Sequence, residues 1–217
     1  MYNGYMKLSI EYSIDYNVER VIKTIKKMDW FDANGYKPIL PKELIGTDLK
    51  AFTRDEVRGM IVQEYDEEKY KAMKVLIQES GAVYIPTLAS AFVNTTLPIH
   101  EEYMVRLVEY GVGGSYGLPN TVILNIANLW GIGPIKTIIH EIIHLSIEEL
   151  IIAYKIEHWQ KERIVDRMFS VMVPEIQRKM QNISENVIRV VDEAFDRNYP
   201  NVEKVCAEIA QENNMKK

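Results

Sequence analysis

The chain has 217 residues, 47% of them hydrophobic and 26% charged, with a formal net charge of −5. A chain of this length can bury a full-sized core, and an acidic balance without a Lys/Arg-rich block argues against nucleic acid and against an anionic membrane surface as partners. Residues 1–7 do not form an apolar leader, no apolar run reaches the roughly 18 residues of a membrane span, and a single cysteine, Cys206, excludes an internal disulfide, so the expectation is one cytoplasmic domain over 1–217.

In chain order, Leu8, Ile10, Tyr12 and Ile14 alternate with polar residues and predict a strand over 7–14 with one buried face. Asn17-Val18-Glu19-Arg20 opens a helix to about Met28, and Pro38-Ile39-Leu40-Pro41 marks a loop. Thr53 and Glu56 form a capping box, and the helical pattern behind it reaches about Glu79 with a break near Tyr65-Asp66. The nearest candidate for a domain boundary, Ala51–Arg54, falls just before that box and carries no linker composition. Residues 103–110 and 121–127 are rich in β-formers and flank the Gly-rich stretch Gly111–Asn120, which reads as a hairpin with a flexible connection. That stretch lacks a G-x-x-x-x-G-K-[ST] pattern and leads into a strand, so it is not a phosphate cradle. The turn Trp130-Gly131-Ile132-Gly133-Pro134 then launches a long apolar helix.

Inside that helix stands His140-Glu141-Ile142-Ile143-His144, an H-E-x-x-H run. Positions i and i+4 lie one above the other on a helix face, which offers two imidazoles to one tetrahedral ion and lets Glu141 reach a water beside it as general base. Thr137 to Leu145 carries no other charge, and a lone carboxylate on an apolar helix is costly without a partner or a task. A second helix is expected from about Ile156 to Val173, ended by Pro174, with His158, Glu162 and Asp166 at four-residue spacing on one face. Folded back, it brings Glu162 opposite the His pair as a third ligand, with Asp166 behind a ligating imidazole. His158 is the rival third ligand. Either it or Tyr154 is a candidate donor to a transition-state oxyanion. Glu148, one turn beyond His144, reads as an ordinary helix residue, because three ligands from one straight helix do not converge on a tetrahedral ion. After Pro174, Ile176, Met180, Ile183, Val187, Val190, Val191 and Phe195 give a helix face, and a last helix spans Asn201 to about Gln211.

At these residues the chain resembles the gluzincin zinc peptidases, the thermolysin-like clan. Their pattern is H-E-x-x-H followed about 18–19 residues on by a Glu, with an Asp four residues after it. Here 17 residues separate His144 from Glu162, and Glu162-Arg163-Ile164-Val165-Asp166 reads E-x-x-x-D. The resemblance covers about 30 residues. It implies His140, His144 and Glu162 as zinc ligands, Glu141 as base, Asp166 in a supporting role, Zn2+ as cofactor and a peptide or protein as substrate. It also implies that the strand just before the zinc helix, Thr121–Ala127, is an edge that pairs with the substrate backbone. Lys161 departs from the Asn that many members have, and Ser146 from an apolar residue. The metzincin pattern of a Gly and a third His soon after the motif is missing from Leu145–Leu150.

The expected architecture is α+β: a small mixed or antiparallel sheet from residues 7–14, 103–110 and 121–127 beside the zinc helix, with a helical C-terminal half. The expected function is a zinc-dependent metallopeptidase. The alternatives are a non-peptidase or non-catalytic zinc-binding domain that uses the same ligands, and a helical interaction protein in which His140 and His144 are packed core residues.

Overall fold

A computed structural model describes residues 6–46, 52–177 and 183–215. Its elements are β1 (Lys7–Tyr12), α1 (Ile14–Ile25), α2 (Met28–Ala33), α3 (Arg54–Glu64), α4 (Glu67–Phe92), β2 (Glu102–Val108), β3 (Gly114–Gly117), β4 (Thr121–Asn125), α5 (Gly133–Ala153), α6 (His158–Met172), α7 (Glu185–Asn198) and α8 (Val202–Met215). The fold is α+β with a helical C-terminal half. The sheet is mixed, with strand order β1-β2-β4-β3. β1 and β4 both run parallel to β2, while β3 is antiparallel to β4.

The Gly-rich stretch is therefore not the loop of a β2–β4 hairpin. Its ten residues hold a strand of their own, β3, which turns through Leu118–Asn120 and pairs with β4, and this leaves β4 inside the sheet. The substrate-pairing role expected of Thr121–Ala127 needs an open edge, and on this side of the sheet the edge belongs to β3.

Two other boundaries moved, one for a local reason and one for a tertiary one. Ser13 caps α1, its side chain accepting from the Tyr16 amide, so the strand stops at Tyr12 although the apolar alternation runs on through Ile14. α4 continues 13 residues past Glu79, through Gly81 and Pro86, both helix-weakening residues. Burial decides there, since Ile77, Ile85, Leu88, Ala89 and Phe92 all point into the main core. The Thr53 capping box and the break at Tyr65-Asp66 fall where expected. In the C-terminal half, α7 begins only at Glu185; Ile176 lies in a turn after α6, and Met180 lies outside the described residues, as does Ala51.

One face of the sheet, through Tyr103, Val105, Leu107, Val122 and Leu124, packs into a core shared with α4 to α8. The other face meets α1, where the Arg106 guanidinium sits 4.6 Å from the centre of the Tyr16 ring. α5 is the best-buried helix: Ile135, Ile138, Ile139, Ile142, Ile143 and Ile147 are fully enclosed. Each such side chain contributes roughly 1.5–3 kcal/mol by leaving water. The helix is thus fixed on nearly every side, and the polar groups it carries inside are held rigidly. No helix among the described residues is long and apolar enough to cross a membrane.

Candidate metal centre

α5 and α6 are joined by a short turn through Lys155, whose backbone takes a positive φ of 53°, and they pack against each other. This brings the two sequence segments face to face. His140, Glu141, His144, Glu162 and Asp166 are all buried, none more than 7% exposed.

His140 Nε2 and His144 Nε2 lie 3.0 Å apart. Glu162 Oε2 is 3.4 Å from the first and Glu162 Oε1 is 3.4 Å from the second. Two atoms each about 2.1 Å from a tetrahedral ion lie about 3.4 Å from one another, so these separations are those of three ligands around one zinc-sized ion. Two imidazole nitrogens at this distance either share a hydrogen bond, one ring donating to the other, or face a common ion. Among the described residues this is the one His/Cys/Asp/Glu group with such convergence. His158 stands outside it, and so does Glu148.

The charges fit a cation as well. Burial holds His144 below the ordinary histidine range, so its imidazole is neutral and has a lone pair to give. Burial pushes Glu162 up, but contact with His144 and the neighbouring His158 and Lys161 outweigh it, and the carboxyl is held below its usual range. Burial, and then the Glu162 charge, push Glu141 up to about 8, against the pull of Lys161 and Arg20. A carboxylate held ionised in this buried site is costly without a countercharge. Asp166 Oδ1 is 3.9 Å from His140 Nδ1, close to hydrogen-bond reach, on the side away from the converging atoms. Neither His140 Nδ1 nor His144 Nδ1 has a hydrogen-bond partner among the described residues, and of the two only His140 has the Asp166 carboxylate standing behind it.

Two walls flank this centre. On one, Tyr116 of β3 stacks on the His144 ring at 5.2 Å and donates through its hydroxyl to Glu148 Oε2 at 2.6 Å; Lys161 Nζ donates to the same hydroxyl at 3.0 Å. That network ties the edge strand to both helices and accounts for Glu148. On the other wall, Tyr36 places its hydroxyl 3.2 Å from His158 Nε2 and stacks between Trp30 and Trp159. Burial, and then the charges of Glu162 and Glu141, raise the Tyr36 pKa, so it keeps its proton at neutral pH. Tyr154 ends α5 facing elsewhere, its hydroxyl donating to Glu203 of α8.

Tyr36 is a residue beside the centre that sequence reasoning missed. It sits in an irregular segment 122 positions from its partner, with no motif or periodicity to mark it. The nearest signal was the aromatic cluster Trp30, Phe31 and Tyr36, too generic to assign. Comparison with known protein families, with curated proteins and with solved structures returned no match to this chain.

Proposed function

We propose that this chain is a zinc-dependent metallopeptidase of gluzincin type. The observation that carries the reading is the convergence of His140, His144 and Glu162 within 3.0–3.4 Å of one another, with Glu141 buried on the adjacent helix position. Bound there, zinc supplies a Lewis acid that acidifies a water and polarises a carbonyl. Glu141 takes the proton of the attacking water and passes it to the leaving amine. Tyr36, protonated and turned toward His158 at the rim, donates to the oxygen on which negative charge develops. Asp166 steadies His140 from behind. The outer edge of β3 offers backbone groups to an extended peptide.

The test is the Glu141→Gln variant. It should keep zinc, because Glu141 is not a ligand, and lose hydrolysis of an unfolded protein such as casein, or of a random peptide library, by several orders of magnitude. Near wild-type turnover in that variant excludes the mechanism. Stoichiometric zinc in a wild-type protein that cleaves no member of the library favours the non-catalytic reading instead.

A further inference from the structure

The Gly-rich segment passes directly over the proposed base. A Cβ built on Gly114 would overlap Glu141 Oε1 and lie 2.6 Å from Thr137 Cγ2, so any side chain there would force the Glu141 carboxylate or Thr137 to move. Its neighbour Gly113 has nothing within 4 Å of the same position and takes no unusual backbone angle. The backbone at Gly114 thus closes on the carboxylate, while one residue earlier a side chain would point into open space.

A buried arginine holds the segment in that position. Arg20 of α1 donates through Nε to the Tyr110 carbonyl at 3.4 Å, through Nη2 to the Val112 carbonyl at 3.3 Å and through Nη1 to Ser115 Oγ at 2.9 Å. It fills the inside of the bend so fully that a Cβ at Gly111, where φ is +82°, would overlap Nε and lie 2.9 Å from Cζ. Gly114 lies between two of the residues so held. A planar guanidinium suits three diverging acceptors; an ammonium on a flexible stem cannot reach all of them from one position. Burial lowers the Arg20 pKa and the Glu141 charge acts against that loss, so base and staple also feel each other directly.

We propose that Arg20 and Gly114 form a positioning device that fixes the Glu141 carboxylate, Arg20 by stapling the 110–115 bend and Gly114 by pressing its backbone against the carboxylate. The inference rests on the reading of Glu141 as base, and it assigns a task to a stretch whose sequence pattern suggested only a flexible loop. It also makes a buried charge on α1, remote in sequence from the H-E-x-x-H run, part of the same apparatus.

The test compares adjacent glycines. Gly114→Ala should keep stoichiometric zinc, shift the 13C resonance of the Glu141 side-chain carboxyl (assigned by its absence from Glu141→Gln) in both zinc-free and zinc-loaded protein, and reduce kcat by about 100-fold or more, as expected for a misplaced catalytic group. Gly113→Ala should match wild type in all three measurements. Arg20→Lys, which retains the charge but not the three-way staple, should also keep zinc, shift the same resonance and lower kcat more than it raises KM; it serves as the second variant if Gly114→Ala does not fold. An unshifted resonance in Gly114→Ala or in Arg20→Lys, or equal effects of the two glycine substitutions, overturns the device. If wild type hydrolyses nothing while the resonance moves in Gly114→Ala and not in Gly113→Ala, the device stands and the peptidase reading falls.

Discussion

At the scale of single residues, α6 offers three polar groups at four-residue spacing, and the geometry ranks them. Glu162 places both carboxylate oxygens 3.4 Å from the imidazole nitrogens, so Glu162→Ala should cost most of the zinc affinity. Asp166, 3.9 Å behind His140, should cost roughly 10–100-fold on replacement by Ala. His158, paired with Tyr36 outside the converging set, should leave zinc in place when changed to Ala. Titration with a graded chelator reads the order directly, and loss of zinc in His158→Ala with retention in Glu162→Ala would reverse the ligand assignment. Tyr36→Phe removes one hydroxyl from a packed aromatic cluster. It should keep zinc and KM close to wild type while lowering kcat by about 10²-fold, the size of a lost oxyanion donor. An unchanged kcat would remove Tyr36 from the mechanism. The sequence showed the residues of the H-E-x-x-H run and the E-x-x-x-D segment because helix periodicity alone sets their relative positions. Tyr36 and Arg20 were hidden because tertiary packing brings them in from irregular chain or from another helix.

Among the elements, the helices were legible and the sheet only partly so. A capping box, a Gly-Pro launch and a Pro stop are local signals, and α3, α5 and α6 begin and end close to them. Strand order depends on long-range pairing, and nothing local to β2 and β4 says that they run parallel with β3 outside them. α6, which carries Glu162, is itself braced from behind. Arg163 makes a two-pronged contact with Asp192 of α7, at 2.8 and 2.6 Å, while Arg167 reaches both Asp192 and Asp196. Burial would raise the Asp192 carboxyl, but Arg163 and Arg167 outweigh it and hold the carboxyl below its ordinary range. A depressed folded-state pKa stabilises the fold above the unfolded value near 3.9, and that contribution disappears as pH falls through the lower folded value. Asp192→Asn should therefore cost about 1–2 kcal/mol at neutral pH, and the cost should fade as pH drops below the ordinary carboxylate range and through the depressed folded-state value. Chemical-denaturation midpoints of the two proteins across that range should converge as pH drops; a gap that is constant with pH would show that the contact does not act through charge.

For the molecule as a whole, the centre lies where α5 and α6 meet inside the shared core, with the edge strand and the aromatic segment on its flanks. If the proposed ion binds there, ion and fold are linked. Metal that binds the folded chain alone stabilises it by about 4 kcal/mol at a free concentration 1,000-fold above Kd, so stripping zinc with a chelator should lower Tm, and adding zinc back should restore it. The acidic composition and the absence of a basic block were readable at once because they need no fold; the architecture of the sheet edge beside the centre was not. The measurement that bears most directly on the central claim is elemental analysis of protein purified without added metal, beside His140→Ala and His144→Ala. The account requires one zinc per wild-type chain and loss of stoichiometric zinc in both variants. A wild-type chain that holds no zinc even after it is supplied, or variants that keep a full equivalent, would contradict it.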